Sequence, residues 1–263
     1  MPPVTNPSPC AAPRTLAIIP AYNEDATLPG VLAELASVLP DLDVVVVSDG
    51  SRDRTAAVAR EAGVFVVELP YNLGIGGALQ TGFRFARRRD YERAVQFDAD
   101  GQHDPHEVQR LLDALDRGAD LVIGSRFATQ DTTDAEDAER TPDVTYRIGR
   151  TRRGAMSMMR VGVRLLSGRS FTDTSSGFRG FSRPLITFFA DTYPVDYLDS
   201  VEALLLALKA GFDVIEVPVS MRQRQAGQAS NRRLRLAYHF VRLAVVMALS
   251  PARHRAVPRE VSS

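Results

Sequence analysis

The chain has 263 residues, 44% of them hydrophobic and 24% charged, an ordinary globular composition that excludes a fibrous or wholly disordered protein and allows one large core. Basic and acidic side chains balance at 32 each, and the one cysteine, Cys10, excludes a disulfide framework and is compatible with a reducing compartment. No uncharged apolar run is long enough for a transmembrane helix, and the proline-rich leader over residues 1–13 lacks the apolar centre of a signal peptide, so it is expected to be disordered.

Taken in chain order, residues 14–127 alternate short β-branched runs with helical patterns. Strands are expected over Leu16–Ile19, Val44–Val47, Val64–Val67, Ala94–Phe97 and Leu121–Ile123. Helices are expected over Asp25–Leu39, Asp53–Ala62, Gly76–Arg88 and Pro105–Arg117, the last with proline in its first turn. Strands that are apolar on both faces and alternate with helices imply an α/β fold with a mainly parallel central sheet covered on both sides. Ligands in such folds bind at the carboxyl ends of the strands.

Beyond that half, residues 128–143 turn acidic and Thr-rich without periodicity and read as a mobile loop. Residues 144–230 form a second half of the same domain. Here Tyr146–Leu166 reads as a basic amphipathic helix, Phe178–Phe181 as a strand, Val201–Ala210 as a helix and Val214–Val219 as an edge strand, because it carries Pro218. Residues 231–250 contain a C-terminal amphipathic helix, Leu234–Leu249, which suits a lipid interface, the sheet or a homodimer seam equally. Residues 251–263 read as a frayed tail.

Charge is unevenly placed. Of the 32 basic residues only Lys209 is lysine, and Arg147–Arg183 holds nine arginines against one acid, Asp173. A second basic stretch runs from Arg222 to Arg242. This pattern points to an anionic partner, a phosphate or a membrane surface. It argues against nucleic acid, because aromatic residues do not interleave with the arginines.

Four polar motifs fall at expected strand carboxyl ends: Pro20-Ala21-Tyr22-Asn23-Glu24, Ser48-Asp49-Gly50-Ser51, Asn72 with the glycines that follow, and Asp98-Ala99-Asp100-Gly101-Gln102-His103. Asp98 and Asp100 stand two apart, so in extended backbone both carboxylates would face one site. Two carboxylates with an amide oxygen from Gln102 suit Mg²⁺ or Mn²⁺, which take hard oxygen ligands and share them with substrate phosphates. Alone, such a pair also fits a solvated acidic turn. Asp49 could accept hydrogen bonds from a nucleobase or ribose, while Asp53 reads as a helix cap. The glycine run from Gly74 to Gly77 would allow close approach of backbone to a ligand, though it matches neither the dinucleotide fingerprint nor a P-loop.

These motifs, with Gly124-Ser125-Arg126-Phe127, resemble in order and spacing the family 2 glycosyltransferases. The likeness spans roughly Leu16–Ser230 and is strongest to the branch that includes polyprenyl- and dolichyl-phosphate sugar transferases. The resemblance implies a GT-A fold with a Rossmann-like nucleotide-binding half, a nucleotide-sugar donor and inversion at the anomeric carbon. It implies a donor pocket of Pro20, Tyr22, Glu24, Asp49, Asn72, Gly76 and Asp98, and a metal held by Asp98, Asp100 and Gln102. Arg126 would contact a phosphate of donor or acceptor. Two departures stand out: the usual aspartate pair before Gly-Ser is here Ser48-Asp49, and the branch's C-terminal membrane helices are missing or reduced to Leu234–Leu249.

For the acceptor side, Asp173 and Arg179 lie in a Ser-Gly-Phe-Arg segment similar to the family's, and Arg222 and Arg224 in a segment similar to its C-terminal acceptor loop. Paired arginines favour phosphate through forked hydrogen bonds. Asp199 and Glu202 open a helix as cap and capping-box acid, or face the sugar as general base. A lipid phosphate acceptor, already anionic, would need no base, whereas a hydroxyl acceptor would. A protein that binds sugar nucleotides without catalysis is the non-enzymatic alternative. The setting implied is the cytoplasm, with possible peripheral contact to the inner face of the plasma membrane.

Overall fold

The computed structural model describes residues 13–128, 160–165, 167–195 and 199–222. Residues 1–12 of the leader, 129–143 of the acidic loop, 146–159 and 166 of the basic helix expected over Tyr146–Leu166, and everything from Gln223 onward, including Arg224 and Leu234–Leu249, lie outside the described residues.

Seven strands form one sheet: β1 (Thr15–Ala21), β2 (Asp43–Ser48), β3 (Phe65–Glu68), β4 (Arg93–Gln96), β5 (Leu121–Ser125), β6 (Arg179–Ser182) and β7 (Val214–Pro218). Their order is β3-β2-β1-β4-β6-β5-β7. All neighbouring pairs are parallel except those of β6, which runs antiparallel between β4 and β5. The expectation of a mainly parallel sheet holds. β7 closes one side of it, as Pro218 predicted.

Helices α1 (Leu28–Val38), α2 (Thr55–Glu61), α3 (Ile75–Arg88), α4 (Val108–Asp116), α5 (Arg183–Thr192) and α6 (Asp199–Lys209) cover the sheet. α5 was not foreseen in the sequence. It follows β6 directly, with Pro184 in its first turn, and packs on α3. Two apolar clusters result, one on each face of the sheet. The first gathers Ile18, Leu79, Phe83, Phe181, Phe189 and their neighbours. The second gathers Ile19, Leu32, Val46, Phe97, Leu111 and Phe178 with theirs. In the first, Phe83 meets Phe181 edge-on at 4.8 Å between ring centroids, so truncating it to alanine would cost about 3–5 kcal/mol. Gly82 brings α3 hard against β1, since a Cβ there would lie 2.3 Å from Ile18 Cγ2.

Because β1 to β4, β5 and β7 point the same way, their carboxyl ends share one rim. Antiparallel β6 starts at that rim, so the segment 172–178 that feeds it is delivered there too.

Candidate active site

At the rim, the first two motifs are stitched together. Asn23 adopts a left-handed backbone (φ 54°), donates its backbone N–H to Ser51 Oγ at 3.2 Å and accepts from the Arg52 N–H at 2.9 Å. The Glu24 N–H donates to Thr55 Oγ1 at 2.9 Å, and the Glu24 carboxylate accepts from the Thr27 hydroxyl at 2.8 Å. Pro20 is half-buried at the end of β1 and Tyr22 is exposed beside it. Asp53 accepts from the Thr55 N–H and hydroxyl at the start of α2, one residue outside the N-cap position, which falls on Arg54 rather than on Asp53 as expected.

Asp49 is buried, and its two oxygens accept the backbone N–H groups of Leu73 (2.7 Å) and Gly74 (2.8 Å). Burial raises its pKa, and these two hydrogen bonds partly offset the rise. In this arrangement Asp49 ties the end of β2 to the glycine turn. Gly50, at φ 67°, is required by the same join: a Cβ there would lie 2.6 Å from Asn72 N. Asn72 is exposed and caps the turn through the Gly74 N–H. Gly76 corrects the sequence reading. The backbone that approaches it closely is the chain's own, since a Cβ would lie 2.2 Å from the Pro194 carbonyl oxygen.

The acidic motif also departs from the simple expectation. Strand β4 stops at Gln96, and Ala99-Asp100 is a turn closed by Gly101 at φ 75°, so strand alternation does not place the two carboxylates. The turn does: both lie close enough to His103 to act electrostatically on its ring. Asp98 is half-buried and Asp100 buried. Asp100 accepts the Gln102 backbone N–H at 3.0 Å and the Gln102 side-chain amide. His103, 3% exposed, accepts the Asp98 backbone N–H on Nδ1 at 3.0 Å and packs against Phe97 and Phe178. Burial lowers its pKa, against the pull of the Asp98 and Asp100 carboxylates.

Among the described residues no three His, Cys, Asp or Glu side chains converge as a complete metal cage. Two carboxylates and an amide are a partial set of hard oxygens. That fits Mg²⁺ or Mn²⁺, which bind through one or two carboxylates and complete their shell with phosphate and water. Gln102 now turns its amide nitrogen to Asp100, and a half-turn of the terminal torsion would present its oxygen.

The acceptor-side residues are close by but differently employed than expected. Arg126, just past β5, forms a bidentate pair with Asp173 (Nε to Oδ2 2.7 Å, Nη2 to Oδ1 3.0 Å), and Asp173 is fully buried. Arg126 is also near enough to His103 to act on it. Glu216 on β7 accepts the N–H groups of Thr172 and Asp173, and Ser125 shares a hydrogen bond with Thr172 at 2.6 Å. The segment 172–178 is thus held by side chains of β5 and β7.

Arg179 is a correction. It has 0% exposure and donates to the backbone carbonyls of Ser176 (2.8 Å), Thr174 (3.0 Å) and Ser200 (2.7 Å), so it braces the segment from within rather than facing an acceptor. Arg222 is another. Its guanidinium is engaged by Glu34 on α1 (2.7 and 2.8 Å) and Asp104 (3.2 Å), and its backbone N–H donates to the Gln102 carbonyl at 2.8 Å. The Glu34 hydrogen bond is the main cause of its raised pKa. With the bridge between His103 and Met221, Arg222 latches the segment after β7 onto the acidic motif. Glu202 is half-buried on α6, while the side chain of Asp199, like Arg224, lies outside the described residues.

Sequence reasoning passed over Gln96, Gly177, Glu216 and Glu34. Gln96 carried a readable signal, being the one uncharged polar residue in an apolar run two positions before the acids. Gly177 lay inside the Ser-Gly-Phe-Arg segment without a role of its own, and Glu216 and Glu34 carried no signal, because each matters through a partner distant in sequence.

The glycosyl transferase family 2 profile matches residues 16–186. A polyprenol monophosphomannose synthase of Mycolicibacterium smegmatis is 36% identical over 81% of this chain and 79% of its own length. An undecaprenyl-phosphate mannosyltransferase of Micrococcus luteus is 33% identical over 82% of this chain and 86% of its own. Among solved structures, a glucosyl-3-phosphoglycerate synthase from Mycobacterium tuberculosis, in complex with Mn²⁺, uridine diphosphate and phosphoglyceric acid, superposes with a TM-score of 0.65. It is 20% identical, covering 95% of this chain and 81% of that one, a likeness of fold. The chain belongs to glycosyl transferase family 2 and has the GT-A fold.

Proposed function

We propose that the protein transfers a sugar, with inversion, from a nucleotide-sugar donor to a polyprenyl phosphate, with Mg²⁺ or Mn²⁺ as cofactor. The observation that carries this reading is the pair Asp98 and Asp100 beside Gln102 at the carboxyl end of β4, next to the segment 172–178. Two relatives above 30% identity are named for transfer to or onto polyprenol or undecaprenyl phosphate, which supports the acceptor class.

Asp98, Asp100 and Gln102 would hold the cation, which supplies neutralisation of the negative charge developing on the leaving nucleoside diphosphate. Tyr22, Glu24, Asp49 and Asn72 stand along the same rim, where the donor's nucleoside would lie, with Asp49 shaping the pocket floor through the Leu73 and Gly74 amides. A phosphate acceptor is already anionic and needs holding and orientation rather than a base. Arg126, paired with Asp173, lies near enough to His103 to act on it and orders the acceptor side. Removal of both Asp199 and Glu202 tests this, since a phosphate acceptor predicts that turnover survives.

No helix among the described residues is long and apolar enough to cross a membrane. A lipid acceptor is then reached by peripheral contact at the inner face of the plasma membrane, with Leu234–Leu249 as the contacting segment. Liposome co-sedimentation of the full chain and of a chain ending at Ser230 checks this.

The deciding experiment incubates the protein with Mn²⁺, undecaprenyl phosphate and, separately, radiolabelled UDP-, GDP- and dTDP-sugars. The expected result is label in the organic phase with one donor class and none after EDTA. Label in no lipid product with any donor would overturn the reading.

A further inference from the structure

Gln96 is the last residue of β4, 0% exposed, in register between Ile18 of β1 and Arg179 of β6. Its Oε1 is buried without a hydrogen-bond partner, a costly condition at a place where leucine or methionine would pack with no polar atom to satisfy. What the amide does reach is Asp98: Nε2 points at Oδ1, 3.5 Å away. The other oxygen faces His103, whose Nε2 lies 3.5 Å from Oδ2. Since Nδ1 of that ring accepts the Asp98 backbone N–H, its proton sits on Nε2, toward the carboxylate. Behind the carboxylate stands Gly177, where a Cβ would lie 2.9 Å from Oδ2, 3.2 Å from Oδ1 and 3.1 Å from Gln96 Nε2.

We propose that Gln96 and His103, with the space that Gly177 leaves open, are positioning residues that set the orientation of Asp98 for the divalent cation. This rests on the cation reading above. Three features support it. One carboxylate oxygen takes the Gln96 amide and the other lies against the His103 ring nitrogen, so both ends of the carboxylate are fixed by contact. The Gln96 amide is uncharged, so it brings no positive charge to oppose the cation. At 3.5 Å the Gln96 hydrogen bond is at its long limit and the His103 approach is electrostatic, so the two steer the carboxylate without sequestering it. The amide orientation follows from the same contacts, because a flip would set Oε1 against a carboxylate oxygen. The orphaned Oε1 is then the cost of keeping a donor under Asp98, a local conflict of the kind found at functional sites.

The test uses the full chain, with free Mn²⁺ counted by electron paramagnetic resonance in the presence of saturating UDP or GDP. Gln96→Leu and Gln96→Met should each weaken Mn²⁺ binding about tenfold, as loss of a group that orients a metal ligand does. Their thermal midpoints should equal or exceed that of the parent, because the buried orphan is gone. Gly177→Ala should weaken Mn²⁺ binding similarly by displacing the carboxylate, and it reads the cradle independently if a Gln96 variant fails to fold. In turnover, the Mn²⁺ concentration needed for half-maximal rate should rise while kcat at saturating Mn²⁺ stays near the parent's. Mn²⁺ affinity within twofold of the parent in the folded variants would overturn the proposal. So would a lowered midpoint with activity lost equally at every Mn²⁺ concentration, which marks a merely structural residue. A parent protein that takes up no Mn²⁺ would overturn the cation reading itself, and the cradle with it.

Discussion

The two ends of the sheet use acids in opposite ways. At the amino ends, carboxylates meet arginines or hydroxyls: Asp43 pairs with Arg14 and Tyr91, Asp116 with Arg93, Asp90 with Arg183, and Asp120 accepts from Ser182. At the carboxyl ends, the contacts around Asp49 and Asp98 are neutral, namely two backbone amides in one case and a carboxamide and an imidazole in the other. Arginine does occur at that rim, but Arg126 turns to Asp173 and Arg222 to Glu34 and Asp104. One end spends its acids on cohesion. The other keeps Asp98 clear of arginine, as the proposed cation site requires.

That contrast is broken most forcefully at Asp100. Asp100→Asn keeps the shape of the turn and should lower kcat/KM at least about a hundredfold, with little change in thermal midpoint. An equal substitution at the opposite end, Asp116→Asn, should leave kcat/KM within about twofold, because it removes one half-exposed ion pair. Similar losses in both variants would mean that the ends are not functionally distinct. Next in size is Arg179→Met. It strips three carbonyls, two buried and one part-buried, of their donor at once and should cost about 3 kcal/mol in denaturant unfolding. A loss of activity with unchanged stability would instead return Arg179 to the acceptor. Smaller again is Arg222→Gln. The ion pairs it breaks are partly solvated, so the expected stability loss is under about 1 kcal/mol and shrinks with added salt.

The same division governs what could be read from sequence. Strands and most helices follow from local periodicity, and so does the shared rim, since parallel strands bring every carboxyl end to one side. Antiparallel β6 and helix α5 were the gaps. Nothing in Arg179–Ser182 states a direction, because a four-residue strand pairs either way and its neighbours β4 and β5 are distant in the chain. At the site, residue type suggested chemistry but not the direction a side chain takes. Arginines in a phosphate-binding context read as phosphate ligands until Asp173, Glu34 and Asp104 are seen holding two of them, and three carbonyls the third. Asp49 is the mirror case, an acid suited to a ribose whose two oxygens face backbone amides 24 and 25 residues away.

The mildest test lies at the amino end. The Tyr91 hydroxyl donates to Asp43 at 2.8 Å, and its pKa is raised to about 12, first by burial and then by the Asp43 carboxylate. An unfolded tyrosine titrates near about 10. The native state therefore holds a proton that the unfolded chain releases across this interval. The stability linked to Tyr91 is fully present below about pH 10 and is lost as pH rises towards 12. Tyr91→Phe should cost no more than about 1 kcal/mol at pH 8, the net worth of one hydrogen bond. Its thermal midpoint should then fall less steeply than the parent's at alkaline pH, because arginine stays charged there and supplies no competing titration. Parallel slopes in the two proteins would show that Tyr91 ionises as it does in the unfolded chain, and that its proton adds nothing to the cohesion of the amino end.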